Sequence, residues 1–426
     1  MKLLVVGGGG REHAIIKKLK ENPQVDTIYA LPGNGGIAAD AVCVPEIGAK
    51  DIAKIVEFAK AHAIDFAVVA PDDPLALGCV DRLHEAGIPC FGPEAKAARI
   101  EASKVFSKNL MKKYGIPTAR YEVFSDADKA MAYLRGCEFP IVIKADGLAL
   151  GKGVLIPTNY DEAAAAIKSI MEDKAFGDSG NEVVIEEFLT GPEVSVLAFT
   201  DGTAIAPMIS SMDHKRAGDG DTGLNTGGMG VIAPNPYYTA DVAERCMEEI
   251  FLPTLKAMRE EGCPFHGCLY FGLMITKDGP KVIEYNCRFG DPETQAVLPL
   301  LESDLFTIMR ATTDETLDKV EVKFSTGASC CVVLASGGYP VKYESGKLIS
   351  GLCEAEKTAC VYHAGTKLGD NGEILTSGGR VLGVTAVADD LPAAIKASYA
   401  AADKISFEKL HRRSDIGARA LKAFEE

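Results

Sequence analysis

Within its first hundred residues the chain alternates short apolar runs, at 3–6, 27–30, 66–70 and 89–92, with helical-looking segments at 13–20, 51–62 and 75–86. Strands that are each followed by a helix can share one sheet only by running parallel, so the pattern predicts a doubly wound α/β unit over residues 1–100. Ligands of such sheets bind beyond the carboxyl ends of the strands. Three loops fall on that edge, at 7–10, 32–36 and 71–74, and imply one site.

The first of these loops, Gly7-Gly8-Gly9-Gly10 followed by Arg11-Glu12-His13, leaves a strand and opens a helix. Backbone N–H groups and the helix dipole there favour a phosphate. A dinucleotide fingerprint is excluded: its third glycine falls on Glu12 or His13, depending on the starting glycine, and Leu31-Pro32-Gly33-Asn34 offers no acid to a ribose. The plain alternative is a ligand-free tight turn, for which four glycines carry an unneeded entropy cost.

At 426 residues the chain exceeds one ordinary core. The Lys-rich helical stretch from Glu101 ends at Gly115-Ile116-Pro117, so 101–120 is expected to link two units. A smaller unit, 121–190, should hold strands at 140–144, 154–157 and 183–187, with helices at 126–135 and 161–171. The next, 191–325, should carry strands at 194–200, 204–209, 267–276 and 281–286 and a helix near 240–260. Its last two strands are joined by the hairpin turn Lys277-Asp278-Gly279-Pro280. Residues 210–230 read as a long glycine-rich loop, a length that usually serves function. The remainder, 326–426, shows strand-like runs at 330–335, 360–365 and 381–387 and a helix at 392–405.

Charge and composition remove several function classes. A net charge of -15 opposes a surface built to neutralise nucleic-acid phosphates. No stretch approaches the roughly 20 apolar residues of a membrane span, and the apolar opening ends at once in glycines, as a strand rather than a signal peptide. Twelve cysteines sit singly in apolar surroundings, without metal-ligand spacing. They read as reduced core thiols of a cytoplasmic protein.

Chemistry concentrates in the middle of the chain. Lys144 ends a strand and Lys152 stands between glycines, so two cations can approach a polyphosphate, although the run is no P-loop. Glu186-Glu187-Phe188-Leu189 leaves a strand, where a carbonyl and an N–H can meet an adenine edge, and Glu193 follows for the ribose hydroxyls. Glu284 and Asn286 lie two apart on a strand and share one face, while Tyr285 points away. Two hard oxygen ligands of this kind suit magnesium. Arg288 can then neutralise charge on a transferring phosphoryl group. A solvated strand end with an Arg–Asp ion pair is the plain alternative. In the long loop, Asp213-His214-Lys215-Arg216 and Asn225-Thr226-Gly227-Gly228-Met229-Gly230 read as substrate-binding groups, His214 as a positioning residue rather than a base.

These segments, with Ser103-Lys104, Arg288-Phe289-Gly290-Asp291-Pro292-Glu293 and Asp415-Ile416-Gly417, resemble nearly end to end the glycinamide ribonucleotide synthetase (phosphoribosylamine–glycine ligase) family of the ATP-grasp superfamily. The resemblance implies an N-terminal doubly wound domain, a two-lobed ATP-grasp domain and a small C-terminal α/β domain. It also implies a reaction in purine synthesis: the glycine carboxylate takes the γ-phosphoryl group of ATP, and the amine of 5-phosphoribosylamine displaces phosphate from glycyl phosphate.

Carried over by motif, Lys104, Lys144 and Lys152 would hold nucleotide phosphates, and Glu186, Glu187, Leu189 and Glu193 the adenosine. Glu284 and Asn286 would hold Mg2+ or Mn2+, while Arg288, Lys144 and Asp213 would serve catalysis. Substrates would fall to Gly9, Gly10, Arg11, Gly33, Asn34, Lys215, Asn225, Thr226, Gly228, Asp291, Pro292 and Glu293. A monomer acting on small molecules is expected, with no nucleic-acid or membrane partner. Two departures stand out: Ala70-Pro71-Asp72 replaces the family's Gly-Pro-Glu, and Leu269-Tyr270-Phe271-Gly272-Leu273 offers no further acidic metal ligand. The alternative is another ATP-grasp carboxylate–amine ligase or a purine-pathway carboxylase.

Overall fold

The computed structural model describes residues 1–148 and 153–423. Its first sheet has five strands in the order Val42–Cys43, Thr27–Pro32, Lys2–Gly7, Phe66–Val69, Cys90–Phe91, all parallel. Leu4 and Val6 enter one core cluster and Leu3 and Val5 another, as alternation across a covered sheet requires. The helix expected at 75–86 is two helices, Asp72–Ala76 and Cys79–Glu85, broken where Gly78 takes a left-handed φ of 80°.

The helical stretch beginning at Glu101 also divides. Helix Ala95–Ala102 stops at Ser103, whose extended backbone and side chain cap helix Lys104–Tyr114 by accepting from the Phe106 N–H. Lys104 thereby starts a helix instead of continuing one.

A second sheet pairs Tyr121–Phe124, Val183–Glu187, Ile141–Ala145 and Val154–Leu155, every pair antiparallel. Helices Ala127–Leu134 and Tyr160–Ile167 cover it around a small core of its own. Strand Tyr121–Phe124 was not expected; its half-exposed residues give no apolar run.

The third sheet orders Ile205–Pro207, Glu193–Asp201, His266–Thr276 and Gly279–Asn286. Its hairpin lies where the Asp-Gly turn places it. The register shifts between Gly272 and Leu273, which pair with Glu284 and Val282, so Ile283 is the extra residue of a bulge.

Residues 210–230 are not a structureless loop. Met212–Asp213 pairs with Gly230–Ala233, and Arg216–Gly218 forms a hairpin with Thr222–Asn225. Strand Gly230–Ala233 goes on to pair with Ala328–Ser336, which adjoins Arg380–Ala388 and then Cys360–His363. The polar segment is thus built into the C-terminal sheet. No helix among the described residues is long and apolar enough to cross a membrane. All twelve cysteines are free; eight are buried, and Cys353 is exposed, contrary to a uniform core assignment.

Candidate active site

Lys144 is the next-to-last residue of strand Ile141–Ala145 in the second sheet and is 4% exposed. Its Nζ donates to the Ile283 carbonyl at 2.9 Å and faces Glu186 Oε1 at 3.0 Å. The bulge at Ile283 releases that carbonyl from the ladder, joining the second sheet to the third. The other Glu186 oxygen meets Lys108 Nζ at 2.9 Å, and Lys108 donates to Thr118 Oγ1 at 2.7 Å. Burial pushes the Lys108 ammonium down to about 8. Glu186 is therefore committed to two lysines and holds Lys144 in place. Lys104 Nζ donates to the Gly147 carbonyl at 2.5 Å. Lys152 lies outside the described residues.

At the strand exit, the Glu187 carboxylate accepts from the backbone N–H of Arg120 at 3.0 Å and from its Nε at 2.8 Å. Phe188 and Leu189 follow beyond the last paired residue, Phe188 exposed and Leu189 half-buried. Glu193 opens the next strand, and Lys215 lies between Glu193, at 3.4 Å, and Glu284, at 3.5 Å.

Tyr285 turns into the core, its hydroxyl 2.8 Å from Thr254 Oγ1, so Glu284 and Asn286 share the opposite face as expected. Burial raises the Glu284 carboxyl, but Lys215, Lys144, Lys104 and Arg288 outweigh it and leave the group below its ordinary range. An ionised carboxylate beside a neutral amide oxygen suits a divalent cation that completes its shell with phosphate and water. Among the described residues no cluster of three or more Asp, Glu, His or Cys side chains could hold a metal by itself. The two-ligand set therefore fits magnesium-type binding and depends on the nucleotide.

Arg288 pairs with Glu101 at 2.8 Å rather than with an aspartate, and its buried Nε has no partner among the described residues. Glu101, Lys108 and Arg380 were not anticipated. None carries a local signal; each is revealed by what it meets across the fold.

The glycine loop differs from expectation in what it holds. Gly9 N–H donates to Glu12 Oε2 at 2.6 Å and Arg11 N–H to Asp291 Oδ2 at 3.2 Å. The first turn is capped by the chain's own carboxylates. The Arg11 side chain donates to Glu12 at 2.6 Å and to the Phe289 carbonyl at 3.1 Å. Asn34, beside Gly33, donates to the carbonyls of Gly8 and His363 at 3.0 and 2.8 Å, and accepts from Gly36 and Ile37 at 2.9 Å. Its side chain organises the loops.

Against Pro292 stands the segment that runs from Asp213 to Gly230. Thr226 Oγ1 donates to the Lys215 carbonyl at 2.9 Å and accepts from Gly228 N–H at 3.0 Å, leaving Asn225 exposed. Gly228 is required: at φ 115° an added Cβ would lie 2.4 Å from Pro292 Cδ and 2.6 Å from Asp213 Oδ1. Burial, then the charge of Glu293, pushes the Asp213 carboxyl well above its ordinary range. His214 is buried; its Nδ1 meets the Gly230 carbonyl and its Nε2 accepts from Gly417 N–H, both at 3.1 Å.

A small antiparallel sheet and a larger one, pinned together at Lys144 and Ile283 with cations and an oxygen-donor face between them, define an ATP-grasp enzyme. Models of phosphoribosylglycinamide synthetase match in three pieces: the N domain over residues 1–101, the ATP-grasp (A) domain over 102–294 and the C domain over 329–419. The chain belongs to this family. A phosphoribosylamine–glycine ligase of Vibrio parahaemolyticus is 49% identical over 424 residues, 99% of each chain. The crystal structure of the phosphoribosylamine–glycine ligase of Thermotoga maritima superposes with a TM-score of 0.86 at 34% identity, covering 98% of this chain and 100% of that one. The biotin carboxylase domain of Hydrogenobacter thermophilus 2-oxoglutarate carboxylase shares the fold alone, with a TM-score of 0.74 at 16% identity over 96% of this chain and 91% of that one.

Proposed function

We propose that the protein joins glycine to 5-phosphoribosylamine at the expense of ATP, giving glycinamide ribonucleotide, ADP and phosphate in purine synthesis. The observation that carries the reading is the shared face of Glu284 and Asn286 beside Lys104, Lys144 and Arg288, in a chain of this family. The unit 121–190 acts as a lid over the catalytic unit 191–325, with 101–120 between them, the doubly wound unit 1–100 on the phosphoribosylamine side and 326–426 as support.

Lys104 and Lys144 hold the nucleotide phosphates, assisted by Lys152. The strand exit at Glu187 and Leu189 receives adenine, Glu193 takes the ribose, and Glu186 fixes Lys144. Mg2+ or Mn2+ held by Glu284 and Asn286 supplies neutralising charge to the phosphates. A glycine carboxylate oxygen attacks the γ-phosphorus; an O–P bond forms, the bridging β,γ bond breaks, and ADP leaves. Arg288 stabilises the charge on the transferring group. The amine nitrogen of phosphoribosylamine then attacks the glycyl carbonyl carbon, and phosphate departs. Burial, then the charge of Glu293, raises the proton affinity of Asp213, whose carboxylate can take the proton the amine loses.

Lys215, Asn225, Thr226 and Gly228 face Asp291, Pro292 and Glu293 around glycine. The edge of Gly9, Gly10, Arg11, Gly33 and Asn34 walls the phosphoribosyl side. We assign a cytoplasmic monomer. Incubating the protein with ATP, magnesium, glycine and phosphoribosylamine should release ADP only when both co-substrates are present; release that ignores either one would sink the reading.

A further inference from the structure

One carboxylate from outside the motifs touches three consecutive residues of the site. Glu101 lies in helix Ala95–Ala102 and is 8% exposed. Its Oε1 accepts from Arg288 Nη2 at 2.8 Å, and its Oε2 accepts from the Cys287 backbone N–H at 2.7 Å. With the Asn286 amide oriented so that its nitrogen meets acceptors, the nitrogen donates to the same Glu101 Oε1 at 3.1 Å and to the Tyr285 carbonyl at 3.1 Å. The amide oxygen is thereby turned away from Glu101.

Strand Gly279–Asn286 ends here, so no ladder holds residues 287 and 288 in place. A buried carboxylate is costly unless its oxygens are matched, and Glu101 is matched by donors from all three residues. Without it, the Asn286 amide is free to rotate and present its nitrogen where an oxygen ligand is needed. Arg288 would also lean toward Asp72, the next carboxylate after Glu101 in its field.

We propose that Glu101 is a positioning residue of the ligase: it orients the Asn286 amide so that oxygen faces the divalent cation, and it aims the Arg288 fork at the transferring phosphoryl group. The inference rests on the roles assigned above to Glu284, Asn286 and Arg288. Partners that orient metal ligands in this way typically alter metal affinity about 10- to 100-fold when replaced.

Glu101→Gln tests it, because the amide keeps an acceptor for Cys287 but sets a donor against Asn286 or Arg288. Mn2+ binding to the protein–ADP complex, read by water proton relaxation, should weaken about 10- to 100-fold, while ADP binding without metal stays unchanged. In an Asn286→Ala background the same change should cost no further Mn2+ affinity, since the two act through one ligand. Should Glu101→Gln fail to fold, Glu101→Asp keeps the charge but is a methylene too short to reach all three donors, and the same Mn2+ loss is expected. Wild-type Mn2+ affinity in the folded variant, or losses that simply add in the Asn286→Ala background, would overturn the inference. Wild-type ADP release that needs neither glycine nor phosphoribosylamine would instead overturn the reaction assigned above.

Discussion

Arg380 and Asp291 are joined twice: Nη1 donates to the Asp291 carbonyl at 2.7 Å, and Nη2 meets its carboxylate at 3.2 Å. The same Nη1 donates to the Gly227 carbonyl at 2.6 Å. An arginine of the C-terminal sheet thus fastens the 225–230 segment to the Arg-Phe-Gly-Asp-Pro-Glu motif. Arg380→Met should lower kcat/KM for glycine by about a hundredfold through misplacement of that segment, while KM for ATP stays near its wild-type value. Initial-rate kinetics separate the two; equal rises in both KM values would mean that Arg380 supports the whole fold and no particular substrate.

Lys108 and Lys144 share Glu186, and removing the shared carboxylate leaves two buried ammonium groups facing each other. Glu186→Gln should cost stability by about 3–5 kcal/mol and raise KM for ATP more than KM for glycine. Lys108 adds a pH signature. Its folded value of about 8 lies below the ordinary 10.5, so in that interval the unfolded chain holds a proton that the folded chain lacks. This group therefore adds stability as pH rises from about 8 toward 10.5, and the gain is lost as pH falls through 8. Urea unfolding of wild-type and Lys108→Met protein across that window should show the steeper rise in the wild type.

Much of this architecture is legible in the sequence for a physical reason. Strands Lys2–Gly7 and Phe66–Val69 are covered on both faces, so they appear as unbroken apolar runs. Tyr121–Phe124 and Thr222–Asn225 are half or fully exposed, and nothing in their composition separates them from loop. The motif residues were found because their chemistry depends on local spacing, as at Glu284 and Asn286. Glu101, Lys108 and Arg380 serve groups 187, 78 and 153 positions away at their farthest bonded contacts, Arg288, Glu186 and Gly227, and one chain gives no sign of such pairs. The glycine loop was read as an anion cradle because its dipole is visible in sequence; that Asp291 fills it is not.

Buried histidines give the fold an acid limit. His13 Nδ1 accepts from His363 N–H at 2.8 Å and His214 Nε2 from Gly417 N–H, so protonation sets donor against donor. Burial pushes His214 down to about 4 and His363 to about 3. Their neutral forms contribute stability that is full above the ordinary value of 6.5 and is lost as pH falls below it, at about 1.4 kcal/mol per pH unit for each. Denaturation midpoints should hold between about pH 7 and 8 and drop between about pH 6.5 and 5.5. His363→Gln should remove one histidine's share of the slope; an unchanged slope would mean that His363 titrates like an exposed residue.

Glu284 is the carboxylate on which Lys104, Lys144, Lys215 and Arg288 converge. Glu284→Gln removes a proposed metal ligand and leaves those cations without their common counter-charge. Two opposite effects follow. Turnover with magnesium should fall by at least about a thousandfold, because the charge stabilisation of the transferring phosphoryl group is lost with the metal. Binding of ADP in EDTA should hold or tighten, because the bare diphosphate meets a more positive site. Calorimetric titration of ADP with and without metal, beside the rate, distinguishes this from unfolding, which would weaken both. Wild-type ADP release should itself vanish in EDTA and return on titrating Mg2+ or Mn2+; a rate that survives chelation would place the metal elsewhere than on Glu284 and Asn286.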